Sequence, residues 1–180
     1  TSDDALNYGG IGVVVGHEMT HGFDDSGRQY DKEGNLNDWW APEDAEKFKA
    51  LADGLAAQFD AVEVLPGVFA NGRYTLGENI ADQGGLRVAM TAYIDSLNGA
   101  EQKVIDGLTA MQRFYLAYAG LWAGNIRDEE IARLTKIDPH SLGRNRVNVS
   151  LRNIAPFFEA FGISEGDKMF RSQEERVVIW

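Results

Sequence analysis

The chain has 180 residues, 17 Lys plus Arg against 28 Asp plus Glu for a formal net charge of −11, and 44% hydrophobic residues. That is one domain's worth of sequence, enough to withdraw roughly 70% of its unfolded surface from water, and the acidic balance excludes a non-specific binder of nucleic-acid phosphates. With no cysteine, disulfide scaffolds, cysteine nucleophiles and thiolate metal sites are excluded too, so any metal site must use His and carboxylates.

Thr1-Ser2-Asp3-Asp4 opens the chain without an initiator Met, which reads as an interior cut in a longer protein or as N-terminal processing. Apolar residues are dense over residues 6–21, with Gly9, Gly10, Gly12 and Gly16 among them, and predict a buried helix packed closely by its neighbours. The apolar stretch 11–15 is too short to span a bilayer. Gly10-Ile11-Gly12 is not a dinucleotide fingerprint, because no strand precedes it and Gly16 breaks the spacing. Residues 22–38 are a polar connector in which Asp31-Lys32-Glu33-Gly34, between Tyr30 and Leu36, predicts a turn or small hairpin.

Pro42 opens an amphipathic helix to about residue 59, with Ala45, Phe48, Leu51, Ala52 and Leu55 at helical spacing. A loop through Pro66-Gly67 and Asn71-Gly72 leads to a helix over 75–97, where Thr75 precedes Glu78 by the three residues of a capping box. Further helices are predicted over 101–123, 128–134 and 150–161. No repeat or linker divides the chain, so the expectation is one mainly α domain over residues 1–180 with few short strands.

Chemistry concentrates in His17-Glu18-Met19-Thr20-His21, the H-E-x-x-H pattern of zinc metallopeptidases. At about 100° per residue, positions i and i+4 lie about 40° apart around a helix, so both imidazoles reach one ion. Glu18 is rotated too far round to ligate and faces the open coordination position. A catalytic zinc needs a third protein ligand, and the best candidate is Glu78 in Gly77-Glu78-Asn79-Ile80-Ala81-Asp82, with Asp82 one turn further to accept a proton from a ligand imidazole. Without the upstream motif, Glu78 reads as a capping residue and Asp82 as a solvated acid. Asp24 reads equally well as a partner of a ligand imidazole or as a turn former in Phe23-Asp24-Asp25-Ser26-Gly27.

These two motifs, with Gly22-Phe23-Asp24-Asp25, Asp38-Trp39-Trp40, Thr75-Leu76, Asp138-Pro139-His140-Ser141 and a hydrophobic tail ending in Trp180, strongly resemble the neprilysin and endothelin-converting-enzyme family of zinc metallopeptidases along the whole chain. The resemblance implies a gluzincin-type catalytic domain fragment holding one Zn2+ on His17, His21 and Glu78, and a zinc-activated water with Glu18 as general base that cleaves short peptides. It further implies that Asp82 is the acid beside the ligands, that His140 donates a hydrogen bond in the transition state, and that Arg146 grips a substrate carbonyl. Val13, Val14 and Trp122 would wall the apolar pocket for the residue after the scissile bond, a role compatible with core packing. Leu142 departs from the Pro usual in the family at that position.

The family's chains are several times longer, so the resemblance places these residues at the C-terminal end of a polypeptide whose missing N-terminal part supplies a substrate-aligning edge strand and a helical lid. The expected location is extracytoplasmic, with a cytoplasmic one as the alternative. Two other readings compete with a peptidase. A zinc-binding or helical interaction fragment would be inactive without that N-terminal part, and a purely structural helical domain would bind no zinc.

Overall fold

The structure is a computed structural model that describes residues 3–180; Thr1 and Ser2, where the chain reads as cut or processed, lie outside it. Helix α1 (Asp4–Asn7) runs through a π-helical turn (Tyr8–Gly12) into α2 (Val13–Thr20), so the expected first helix is present but widened at its glycines. Gly9 is required there, because a Cβ would sit 2.1 Å from the Phe114 carbonyl oxygen. The turn predicted after it forms: Tyr30 and Leu36 make an antiparallel bridge, closed by Gly34 at φ +80° and by Asp31, whose carboxylate accepts from the amides of Glu33 and Asn35.

Helix α3 (Pro42–Asp60) starts on Pro42 as expected. Strands β1 (Glu63–Leu65) and β2 (Val68–Phe69) then pair antiparallel around Pro66-Gly67, a hairpin in what the sequence presents as plain loop. Helix α4 (Leu76–Ser96) follows, but the capping box expected from Thr75 and Glu78 does not form. The Thr75 hydroxyl bonds the Asn71 carbonyl instead, and the Glu78 carboxylate turns toward histidines.

The helix expected over 101–123 is shorter, α5 (Ala110–Leu121). Asp106 and Gly107 take positive φ in a turn closed by the Ile105–Leu108 bridge, and a true capping box between Thr109 and Gln112 starts the helix afterwards. Helix α6 (Asp128–Ile137) stands where expected. The helix expected over 150–161 is two: α7 (Gly143–Leu151), which the sequence does not announce, and α8 (Ala155–Phe161), whose Pro156 cannot continue a helix from upstream. The mainly α expectation otherwise matches.

Helix α4 lies between two cores. Leu76 and Ile80 pack with Phe48, Leu55 and Phe59 of α3, while Leu86, Ala89 and Tyr93 pack with Val13, Phe114, Tyr115 and Tyr118. Each large apolar side chain buried in this way contributes about 1.5–3 kcal/mol. Across α4 runs α2, and their backbones nearly touch: a Cβ on Gly85 would lie 2.6 Å from the His17 nitrogen and 2.7 Å from the Val13 carbonyl oxygen. No helix among the described residues is long and apolar enough to cross a membrane.

Candidate metal centre and active site

The α2–α4 crossing brings His17 and His21 from one helix against Glu78 at the first turn of the other. One donor atom from each lies within 4.8 Å of the other two. His17 Nε2 is 3.2 Å from Glu78 Oε2, His21 Nε2 is 3.5 Å from Glu78 Oε1, and the two Nε2 atoms are 3.1 Å apart. The far side of each ring is held by an acid: His17 Nδ1 donates to Asp82 Oδ1 at 3.0 Å, and His21 Nδ1 donates to Asp24 Oδ2 at 2.7 Å. With both Nδ1–H groups committed, the Nε2 atoms and the Glu78 carboxylate face one another as acceptors, an arrangement that calls for positive charge at its centre.

The titration behaviour agrees. Burial alone lowers the His17 pKa, but its hydrogen bonds to Asp82 and Glu78 outweigh that and raise it to about 9. Burial likewise favours a protonated Glu78, yet the His17 hydrogen bond and the nearby His140, His17 and Arg146 charges hold its carboxyl below the usual range. A site that draws a proton this strongly suits a divalent cation, and two imidazoles plus one carboxylate is a zinc donor set.

Asp24 bonds on both sides: Oδ2 meets the His21 ring, and its other oxygen accepts from the Ser26 and Gly27 amides at 2.8 and 2.7 Å and shapes the turn after α2. Asp82 is almost fully buried and also receives Arg146, with Nε at 2.7 Å from Oδ2 and Nη2 at 2.8 Å from Oδ1. The guanidinium is stacked 3.9 Å from the centre of the Trp122 ring, and the Arg146 carbonyl accepts from the Tyr118 hydroxyl. Arg146 Nη1 makes no protein hydrogen bond among the described residues.

A cavity of about 430 Å3 opens beside the histidines, and Val13, Val14, Glu18, Trp122, His140 and Arg146 all line it. Glu18 is exposed to this space and contributes nothing to the ligand cluster, as its helical phase requires. His140 points its Nε2 at Glu78 Oε1, 3.4 Å away, while its Nδ1 and backbone amide both donate to Asp138 Oδ1 at 2.8 and 2.9 Å. Every residue picked from the sequence therefore converges on one place.

Sequence reasoning misses Asp138, although an Asp two residues before a histidine is the signal of a side-chain-to-backbone turn. It also misses Leu121, Ile126 and Leu134, which complete the apolar wall. Nothing local in the sequence hints that these residues, at the end of α5, in the loop after it and in α6, face a cavity rather than a core.

Comparison with known proteins extends this convergence to the whole chain. The model of peptidase family M13 matches residues 1–177. Endothelin-converting enzyme 1 of Mus musculus is 48% identical over 184 residues, covering 100% of this chain and 23% of that enzyme, and the neutral endopeptidase of Lactococcus lactis subsp. lactis is 41% identical, covering 97% and 26%. Among solved structures, a Mycobacterium tuberculosis zinc metalloprotease in complex with an inhibitor superposes with a TM-score of 0.97 at 45% identity, over 99% of this chain and 28% of that one. The chain thus spans about a quarter of the length of the relatives it matches. A two-helix zinc donor set, its acid-held imidazoles and a family match from end to end lead to one conclusion: the chain belongs to peptidase family M13.

Proposed function

We propose that the chain is the zinc-binding catalytic portion of an endopeptidase that cleaves short peptides, with Glu18 as general base. The observation that carries this reading is the meeting of His17, His21 and Glu78 at the edge of a cavity that Glu18, His140 and Arg146 also line. Zinc bound by those three ligands would supply Lewis acidity, polarising a carbonyl and easing the deprotonation of water.

The chain's own residues do the rest. Glu18, unpaired at the cavity surface, takes a proton from the attacking water and returns it to the leaving amine. His140, oriented by Asp138, donates from Nε2 in its doubly protonated form, which keeps Nδ1–H on Asp138, to the oxygen on which negative charge develops. Arg146, braced by Asp82 and Trp122, offers its remaining Nη1 to a substrate carbonyl. Val13, Val14 and Trp122 take an apolar side chain just beyond the scissile bond. Asp82 and Asp24 keep both ligand rings in the tautomer that leaves Nε2 free.

Metal analysis combined with a peptide-cleavage assay tests the reading. One zinc per chain is expected, and chelation lowers the thermal midpoint, because a ligand at a thousand times its dissociation constant stabilises the folded state by about 4 kcal/mol. Glu18→Gln keeps the zinc and loses about 10²–10⁴-fold in turnover; equal turnover by the variant removes the assigned base.

A second reading has its own support. Because the relatives are about four times longer, this piece also fits a zinc-binding fragment that is inactive until the missing N-terminal part is supplied. Zinc with weak or absent cleavage by the isolated chain, restored on adding that part, is the outcome it predicts.

A further inference from the structure

Three buried polar side chains join the first turn of α4 to the loop that carries His140. Ser141 Oγ lies 2.8 Å from Asn79 Oδ1 and 2.9 Å from Thr75 Oγ1, and Asn79 Nδ2 donates to Thr75 Oγ1 at 2.9 Å. Asn79 is wholly buried, and Thr75 and Ser141 nearly so. Proton counting closes a ring. The single Ser141 proton goes to Asn79 Oδ1, an acceptor only; Asn79 donates to Thr75; and Thr75 donates back to Ser141 or out to the Asn71 carbonyl 3.1 Å away.

Each end of the ring is one residue from a site group. Asn79 follows Glu78 on α4, and Ser141 follows His140 on the loop. Of the three only Ser141 borders the cavity, and its one proton is spent on Asn79, so the ring holds the loop rather than meeting substrate. A hydroxyl–carboxamide ring in a dry interior tolerates little displacement, because moving one member strands the others without partners. An apolar contact of the same size would hold the loop nearby without fixing its register. Beside the ring, the tie from the Tyr74 hydroxyl to the Ile137 carbonyl at 3.2 Å is exposed to water.

We infer that Thr75, Asn79 and Ser141 are positioning residues, a buried lock that sets the His140 imidazole against Glu78 across the cavity mouth. The claim rests on the role proposed above for His140, but its test does not require peptide cleavage. Nitrogen-edited NMR of the 180-residue chain reads the ring signals of His17, His21 and His140 separately, and amide hydrogen exchange reads the 138–142 loop. Ser141→Ala is expected to broaden or double the His140 signals and to speed exchange of the His140 amide about tenfold or more. His17, His21 and zinc stoichiometry stay as in the parent, and Ser141→Thr, which keeps the hydroxyl, restores the His140 signals.

Thr75→Val, equal in shape but without the hydroxyl, carries the same test should Ser141→Ala fail to fold. Unchanged His140 signals and loop exchange in a folded variant overturn the inference. So does disturbance of all three histidines together, which marks a general structural role. Failure of the parent chain to cleave any peptide even with the N-terminal part supplied sinks the proposed activity while leaving this result intact.

Discussion

Asp82 satisfies two neighbours with one carboxylate: Oδ1 takes the proton side of the His17 ring and the pair of oxygens takes the Arg146 fork. Removing it leaves a buried guanidinium without its counter-charge, and stranding one partner of a buried pair typically costs about 3–5 kcal/mol. Asp82→Ala is therefore expected to lower the thermal midpoint by roughly 10 °C for a chain of this size, read by calorimetry. Asp24 holds one ring and two turn amides beyond the end of α2 and pairs with no buried guanidinium, so Asp24→Ala should spare much of that stability while weakening zinc about 10–100-fold in a chelator competition. If both variants lost stability equally and kept zinc equally, the division of labour between the two acids would be wrong. At this scale much was legible from spacing: histidines at i and i+4 can face one point, and an acid one turn beyond Glu78 can reach one of their rings, as Asp82 does. What spacing could not say is that Arg146 would commit its Nε and Nη2 to Asp82, because no local pattern records a contact 64 residues away.

The crossing of α2 over α4 decides whether the three ligands meet at all, and it rests on small residues. Gly85 faces the His17 nitrogen and the Val13 carbonyl, rigid backbone on both counts, and Gly84 faces the Thr20 side chain. A methyl group at position 85 must push the helices apart. Gly85→Ala gains about 1 kcal/mol in helix propensity but meets an overpacking cost of about 1–3 kcal/mol, so net destabilisation with weakened zinc binding is expected. Gly120→Ala in α5, where nothing lies within 4 Å of the added Cβ, should instead stabilise the chain by about 0.5–1 kcal/mol. Denaturant midpoints of the two variants moving in the same direction would refute the close-approach argument. Element by element, α3 could be read because its apolar residues recur at helical spacing and α6 because acidic residues open it, whereas the capping box that pointed to α4 does not form. Helix α7 could not, since Asn145, Arg146 and Ser150 point inward to be buried and erase the pattern that betrays a helix. The helix expected over 101–109 fails for a plainer reason: Asp106-Gly107 is a dipeptide that favours a turn, and both residues take positive φ there.

On the scale of the whole molecule, a strong negative charge coexists with a bare apolar face. The turn of α2 that sends His17 inward sends Ile11, Val15 and Met19 outward at successive i+4 steps, 65%, 53% and 66% exposed. Phe23, Val88 and Trp180 continue that face, sharing with Met19 a cleft of about 340 Å3 whose walls are almost wholly apolar. Monomeric soluble proteins rarely expose contiguous apolar patches larger than a few hundred Å2, and in the relatives most of the polypeptide lies outside the segment matched here. Studied alone, the chain is therefore expected to self-associate as its concentration rises despite its net charge of −11, and more strongly in high salt, where screening removes the repulsion and leaves apolar contact unopposed. Val15→Glu combined with Met19→Glu breaks the stripe at two exposed positions without touching the ligands, and should keep the chain monomeric with its zinc affinity unchanged. Light scattering across a concentration series at low and high salt measures this. A parent chain that stays monomeric in both, or a double variant that associates as readily, would show that the exposed face of α2 does not govern how this molecule meets others.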